Sequence, residues 1–247
     1  MIFPIGDTQV SGPYKPIVSY SLIGINVLVF VMQLLTPGNL ICEYSVIPAH
    51  ILAGDSWWTL ISSMFLHGSY MHLIGNMVFL WIFGDNIEVK IGNWQFLVFY
   101  FFGGLISSWA HIYFNIPNGD LSNCCIPCQN INCGAEIVNA CVGYVPSLGA
   151  SGAISALMGA YLVMFPKSKI KLLVIIFFRS FYIPAILFLA FWFLQQLFFG
   201  MGEQFGTSSE SQGVAWWAHI GGFVYGLLMG FYFRKHMINQ NSNKSYV

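Results

Sequence analysis

The sequence predicts an all-α membrane protein that crosses the bilayer six times, and three observations support that prediction. Of its 247 residues, 57% are hydrophobic and only 7% are charged, whereas a soluble domain carries about 25% charged residues. Six hydrophobic stretches approach or reach the roughly 17 to 25 residues that a membrane helix needs. If the spans number six, every Lys and Arg falls on one side of the membrane. A chain with so few charges could not cover a water-facing surface.

The hydrophobic stretches define the six spans in order. The fourth is short, which predicts a short central helix in the bundle. The predicted spans are Ile17–Leu35, Tyr70–Ile87, Asn93–Asn115, Ala150–Phe165, Tyr182–Phe199 and Trp216–Phe233.

Positive charge orients the spans, because cytoplasmic loops of membrane proteins are enriched in Lys and Arg. The nine basic residues lie before the first span and after the second, fourth and sixth: Lys15, Lys90, Lys167, Lys169, Lys171, Arg179, Arg234, Lys235 and Lys244. The charged residues of the opposite loops are all acidic. We therefore expect a cytoplasmic N-terminus over 1–16, a membrane domain over 17–233 and a cytoplasmic C-terminal tail over 234–247. Six spans without an extra terminal domain suit the inner (plasma) membrane of a bacterium.

A serine and a histidine lie at the same computed depth in two different spans. The depth of Ser151 is counted from Lys167, which marks the cytoplasmic end of the fourth span. The depth of His219 is counted from Arg234, which marks the cytoplasmic end of the sixth span. At about 1.5 Å per residue, both groups lie roughly 22 to 24 Å above these ends. Polar groups inside a membrane are costly without partners, so they indicate a functional site. A hydroxyl beside a base predicts hydrolysis in the outer leaflet.

Two more polar side chains share this layer. His72 and Asn76 are four positions apart in the second span and therefore lie on one helix face. Acylation of a serine generates an oxyanion that needs fixed donors, and these two side chains could supply them together with the Ser151 backbone amide. No Asp or Glu lies at this depth, so a Ser–His dyad without an acid is expected. The base would then be oriented by packing.

A packing role remains the alternative for the small residues around these groups. Glycines spaced along two membrane helices allow close helix contact. The residues concerned are Gly149, Gly152, Ser155 and Gly159 in the fourth span, and Gly222, Gly226 and Gly230 in the sixth.

Three segments together resemble the rhomboid intramembrane serine proteases: His67 to Asn76 (HGSYMHLIGN), Gly149 to Gly152 (GASG) and Ala218 to Gly222 (AHIGG). The resemblance implies a six-transmembrane-helix rhomboid bundle with an interfacial first external loop. It also implies roles for individual residues. Ser151 would be the nucleophile and His219 the general base, with His72, Asn76 and the Ser151 amide as the oxyanion hole. Supporting roles would fall to His67, Gly149, Gly152 and Gly222. Some members have an aromatic residue four positions after the serine, where this chain has Ser155, so another aromatic residue could contact the base.

Six cysteines lie in the loops opposite the positive charges: Cys42, Cys124, Cys125, Cys128, Cys133 and Cys141. On a non-cytoplasmic side we favour disulfides, whose pairing the sequence does not reveal. The alternative is zinc, because Cys125 and Cys128 have ligand-like spacing. Five of the six belong to an external Cys-rich insertion at about 116–148.

The sequence therefore predicts an intramembrane serine endopeptidase that cleaves transmembrane segments of single-pass membrane proteins near the outer leaflet. Its surroundings would be the lipid bilayer, with no nucleic-acid partner, no cofactor and no metal. The alternative is a catalytically inactive rhomboid-like binder or trafficking factor.

Overall fold

A computed structural model describes residues 2–36, 39–117, 126, 128, 141–174, 176, 178–204 and 214–244. Over these residues the chain forms nine α-helices, one short 3-10 helix at Ser63–Phe65 and three strands. The helices are α1 (Ile17–Leu35), α2 (Leu40–Tyr44), α3 (Pro48–Leu52), α4 (Thr59–Ser62), α5 (Tyr70–Ile91), α6 (Asn93–Phe114), α7 (Ser151–Met164), α8 (Ala185–Gln204) and α9 (Trp216–Lys244). The strands are β1 (Ile2–Asp7), β2 (Lys169–Val174) and β3 (Arg179–Pro184).

The six predicted spans correspond to the six longest described helices. Among the described residues, α1, α6 and the 185–202 part of α8 are long and apolar enough to cross a membrane, and α7 is a shorter apolar helix. The fifth span begins later than predicted, because Tyr182 to Pro184 belong to β3. A proline ring disfavours helical backbone in the residue before it, which explains why the helix starts after Pro184. Helix α9 continues through Arg234 to Lys244, so most of the predicted tail is helical.

The all-α prediction is wrong in one respect, since the three strands form an antiparallel sheet in the order β1-β2-β3. Phe3 pairs with Leu173, and Ile170 pairs with Ile183. The β1 strand joins a hairpin that lies in the second half of the chain, and such long-range pairing leaves no local signal. The sheet holds the N-terminal segment beside the connection between α7 and α8.

A half-buried carboxyl group anchors β1 to the helices. Asp7 accepts hydrogen bonds from the Tyr161 hydroxyl of α7 and from Asn86 Nδ2 of α5 at 2.5 Å. Loss of solvent around Asp7 raises its pKa above the usual value, although these hydrogen bonds act in the opposite direction. The contacts fix the relative positions of α5 and α7 at the end remote from Ser151.

Helix α7 lies at the centre of the bundle, and twelve of its fourteen residues are buried. It packs most closely on α9. A Cβ atom at Gly226 would collide with the carbonyl oxygen of Ala156, and one at Gly159 would collide with that of Phe223. The two backbones can approach this closely only because no side chain separates them. This packing brings the first turns of α7 and α9 together.

Candidate active site

Ser151 and His219 form a hydrogen-bonded pair between the first turns of α7 and α9. The distance from His219 Nε2 to Ser151 Oγ is 2.8 Å. Their closeness follows from the neighbouring glycines, since a Cβ atom at Gly222 would collide with the Gly152 carbonyl oxygen. Gly152 also lies against Ser107 of α6, whose hydroxyl would meet any added Cβ. Gly152 and Gly222, which were both named from the sequence, therefore lie at contacts that admit no side chain.

The chain turns sharply into α7 at Gly149, whose φ of +117° favours glycine. Its backbone N–H donates to the carbonyl oxygen of Ser63 at 2.9 Å, which fixes the turn to the 3-10 helix. An ideal Cβ at this position would lie 2.7 Å from His72 Nε2 and 3.4 Å from Asn76 Nδ2. The structure thus brings both predicted oxyanion donors to the backbone that leads into Ser151.

Helix α5 carries these donors, and its start is set by Ser69, whose side chain accepts from the His72 backbone N–H at 3.1 Å. Asn76 Nδ2 donates to the ring Nε2 of His67 at 2.9 Å. The His67 ring also packs edge-on against His72, with centroids 5.1 Å apart. His67 therefore contacts both predicted donors.

His67 is itself held by a residue that the sequence analysis did not single out. Gln33 of α1 accepts from the His67 backbone N–H at 3.0 Å and donates to the His67 carbonyl oxygen at 3.2 Å. Burial lowers the pKa of His67 to about 4, and the neighbouring His72 adds to the effect. At neutral pH the ring is therefore uncharged and can accept the Asn76 hydrogen bond.

A small cavity of about 20 Å³ borders Ser151, which is room for a water molecule. Its lining includes four other serines: Ser63, Ser107, Ser108 and Ser147. The cavity therefore has the size and the polar lining needed to hold the water that hydrolysis consumes.

Two residues of α8 contact His219, and neither was predicted. Gln196 Oε1 lies 2.8 Å from His219 Nδ1, and the Trp192 ring lies 5.8 Å from the His219 ring. The aromatic contact comes from α8, while Ser155 instead donates to the Ser151 carbonyl oxygen at 2.7 Å. A glutamine inside an apolar span is a signal that could have identified Gln196.

Three of the six cysteines lie within the described residues. Cys42 and Cys128 form a disulfide, and Cys141 is also disulfide-bonded. A sulfur in a disulfide is not a thiolate ligand, so Cys128 is not part of a zinc site here. Among the described residues, no cluster of His, Cys, Asp or Glu is arranged to hold a metal ion. Cys124, Cys125 and Cys133, with most of the predicted insertion at 116–148, lie outside the described residues.

Comparison with known proteins identifies the family. The family model described as "Rhomboid domain" matches residues 54–236. The chain belongs to the rhomboid family. This confirms the resemblance drawn from the three sequence segments. The match covers α4 to α8 and α9 as far as residue 236, and it contains Ser151, His219, His72, Asn76 and His67.

The individual relatives of this rhomboid share fewer than a third of their aligned residues with it. Rhomboid protein 1, mitochondrial, of Saccharomyces cerevisiae is 28% identical over 91% of this chain and 56% of its own length. Presenilin-associated rhomboid-like protein A, mitochondrial, of Danio rerio is 29% identical over 47% of this chain and 24% of its own length. Rhomboid protease GluP of Bacillus subtilis is 27% identical over 60% of this chain and 24% of its own length.

The chain thus spans about half the length of the yeast relative and about a quarter of the other two. Two of the three are mitochondrial by name, which argues against the expected bacterial inner membrane. What the family and the apolar helices establish is a membrane protein.

Proposed function

We propose that this rhomboid is an intramembrane serine endopeptidase that cleaves transmembrane segments of single-pass membrane proteins with a Ser151–His219 dyad. The observation that carries the proposal is the 2.8 Å separation of His219 Nε2 and Ser151 Oγ. A serine hydroxyl is a weak nucleophile until a base removes its proton. The relative named rhomboid protease GluP adds support from the family.

In the proposed reaction, His219 Nε2 accepts the Ser151 proton while Oγ attacks the carbonyl carbon of the scissile peptide. The resulting imidazolium then donates that proton to the leaving amine. Water, activated by the same imidazole, hydrolyses the acyl-enzyme and regenerates the hydroxyl. The serine-lined cavity beside Ser151 would supply a path for this water.

Charge on the tetrahedral oxygen would be stabilised by His72 Nε2, Asn76 Nδ2 and the Ser151 backbone N–H. Support comes from the approach of both side-chain nitrogens to Gly149. Ser151 is the first residue of α7, so its N–H has no partner within the helix, and the positive end of the helix dipole points the same way. Fixed donors of this kind are typically worth about 10²- to 10³-fold in turnover.

We further propose that six helices span the bilayer, with both termini on the cytoplasmic side and Ser151 in the outer leaflet. The positive charges favour this arrangement. Pairing of β1 with β2 agrees with it, because residues 2–7 and the connection after α7 then lie on one side. A substrate segment must be extended before Ser151 can reach its carbonyl carbon, which favours substrates whose helices are unstable near the cut.

The decisive test combines labelling by a fluorophosphonate probe with cleavage of a model single-pass substrate in proteoliposomes. Wild type should react and cleave, whereas Ser151→Ala and His219→Ala should do neither. Ser21→Ala is a matched control, because this exposed α1 serine only donates to its own helix at Ile17. It should behave as wild type. Absence of labelling and cleavage in folded wild-type protein would favour the inactive binder instead.

A further inference from the structure

The side-chain amide of Gln196 is the partner of the second ring nitrogen of His219. Gln196 projects from α8 and is only 4% exposed. Its Oε1 lies 2.8 Å from His219 Nδ1, and on the other side of the ring Nε2 lies 2.8 Å from Ser151 Oγ. Ser151, His219 and Gln196 therefore form one continuous chain of hydrogen bonds across three helices.

The orientation of the Gln196 amide is determined by the partner of its NH₂ group. Nε2 of Gln196 lies 3.3 Å from the carbonyl oxygen of Trp192, one helical turn earlier. A carbonyl oxygen can only accept, so the amide NH₂ must face Trp192 and the amide oxygen must face the imidazole. A flipped amide, with oxygen and nitrogen exchanged, would bring two acceptors together at Trp192.

This orientation determines which ring nitrogen of His219 carries the proton. Oε1 has no hydrogen to donate, so Nδ1 must be the donor. In a neutral imidazole the other nitrogen, Nε2, then has a free lone pair. That lone pair faces the Ser151 hydroxyl, which is the arrangement that a general base requires.

We infer that Gln196 is a positioning residue that holds His219 in the Nδ1–H tautomer and in the ring orientation needed to accept the Ser151 proton. It acts through His219 and contacts no reacting atom. A neutral amide oxygen can orient the ring and stabilise the imidazolium through its dipole, without placing a full charge in an apolar layer. The inference rests on the proposed dyad and extends it to a third helix.

The alternative is that Gln196 merely satisfies its own polar atoms inside a buried helix. The two interpretations differ in what Gln196→Leu does. Leucine keeps the volume and the apolar surroundings but removes the acceptor for Nδ1–H. A packing role predicts little change at His219, whereas a positioning role predicts a mixed tautomer population and slower chemistry.

The first readout needs no substrate. In protein with ¹⁵N-labelled histidine, the ring signals of His219 report its tautomer, and His219→Ala assigns them among the six histidines. Wild type should show Nδ1–H, and Gln196→Leu should show a substantial share of Nε2–H. Gln196→Glu retains an oxygen acceptor and should restore the wild-type pattern.

The second readout is cleavage. Gln196→Leu should reduce kcat about 5- to 30-fold, which is within the range expected when a buried donor, here Nδ1–H, loses its acceptor, with KM within about twofold. Gln196→Glu should recover kcat to within about fivefold of wild type. Gln195→Leu is the matched control, because that neighbouring glutamine is exposed on α8. It should change neither the tautomer nor kcat.

An unchanged Nδ1–H tautomer in a folded Gln196→Leu variant would overturn the inference, as would equal kcat values for Gln196→Leu and Gln195→Leu. These outcomes are separate from failure of the proposed function. Were wild type unreactive to the fluorophosphonate, the protease proposal would fall, while the tautomer measurement would still report whether Gln196 orients His219.

Discussion

Replacement of Gly222 by alanine should separate the two helices that carry the proposed dyad. The added Cβ would lie under 3.0 Å from the Gly152 carbonyl oxygen, which is backbone and cannot rotate away. Restoring ordinary contact requires the helices to move apart by about 1 Å. Since Ser151 precedes Gly152 directly, its 2.8 Å hydrogen bond to His219 would lengthen to a separation beyond hydrogen-bonding range.

A misplacement of about 1 Å can cost about 10²-fold in rate, so kcat/KM of Gly222→Ala should fall about a hundredfold. Alanine favours helix by up to about 1 kcal/mol over glycine, and α9 itself should therefore remain formed. Cleavage is measured in proteoliposomes, with circular dichroism to verify helix content. Gly24→Ala in α1 is the control, because an ideal Cβ there meets nothing within 4 Å. Gly222→Ala activity within about threefold of this control would refute the close-approach argument.

Two further predictions concern stability. Cys42→Ser opens a disulfide whose cysteines are 86 positions apart in sequence, so it should lower the free energy of unfolding by up to about 4 kcal/mol. Cys128→Ser and the double variant should match it in SDS titrations, and unequal losses would argue against this pairing. Burial lowers the pKa of His67 from 6.5 to about 4. Above pH 6.5 the ring is neutral in the folded and the unfolded chain, so the shift leaves stability unchanged. As the pH falls from 6.5 towards 4, the ring gains a proton more readily in the unfolded chain, which progressively lowers the free energy of unfolding. The melting temperature of His67→Gln should therefore fall less steeply over that range, and an equally steep fall would contradict the shifted pKa.

The candidate site was predictable from the sequence where depth and helix periodicity were sufficient. Ser151 and His219 were related by their distances from Lys167 and Arg234, and the structure brings them to 2.8 Å. The four-position spacing of His72 and Asn76 predicted a shared helix face, and in the structure both side chains lie near Gly149. These relations are set by the regular rise and rotation of a helix.

Gln196 shows where this reasoning ends. A position in a span specifies its depth, but the rotation of α8 about its own axis decides whether Gln195 or Gln196 faces His219. That rotation depends on the packing of α8 against α9, which includes the ring of Trp192 against His219. The sheet was missed for a related reason, since β1 pairs with a partner far along the chain.

By itself, the sequence determined that the chain is a helical membrane protein, and it predicted how the polar residues are layered and which hydroxyl and imidazole share one depth. All of these follow from local hydrophobicity, charge and the repeat of a single helix. Only the tertiary structure decided which faces meet, which side chain binds His219 Nδ1 and where β1 attaches. Those contacts depend on how separate helices rotate and pack against one another, and no single segment encodes that arrangement.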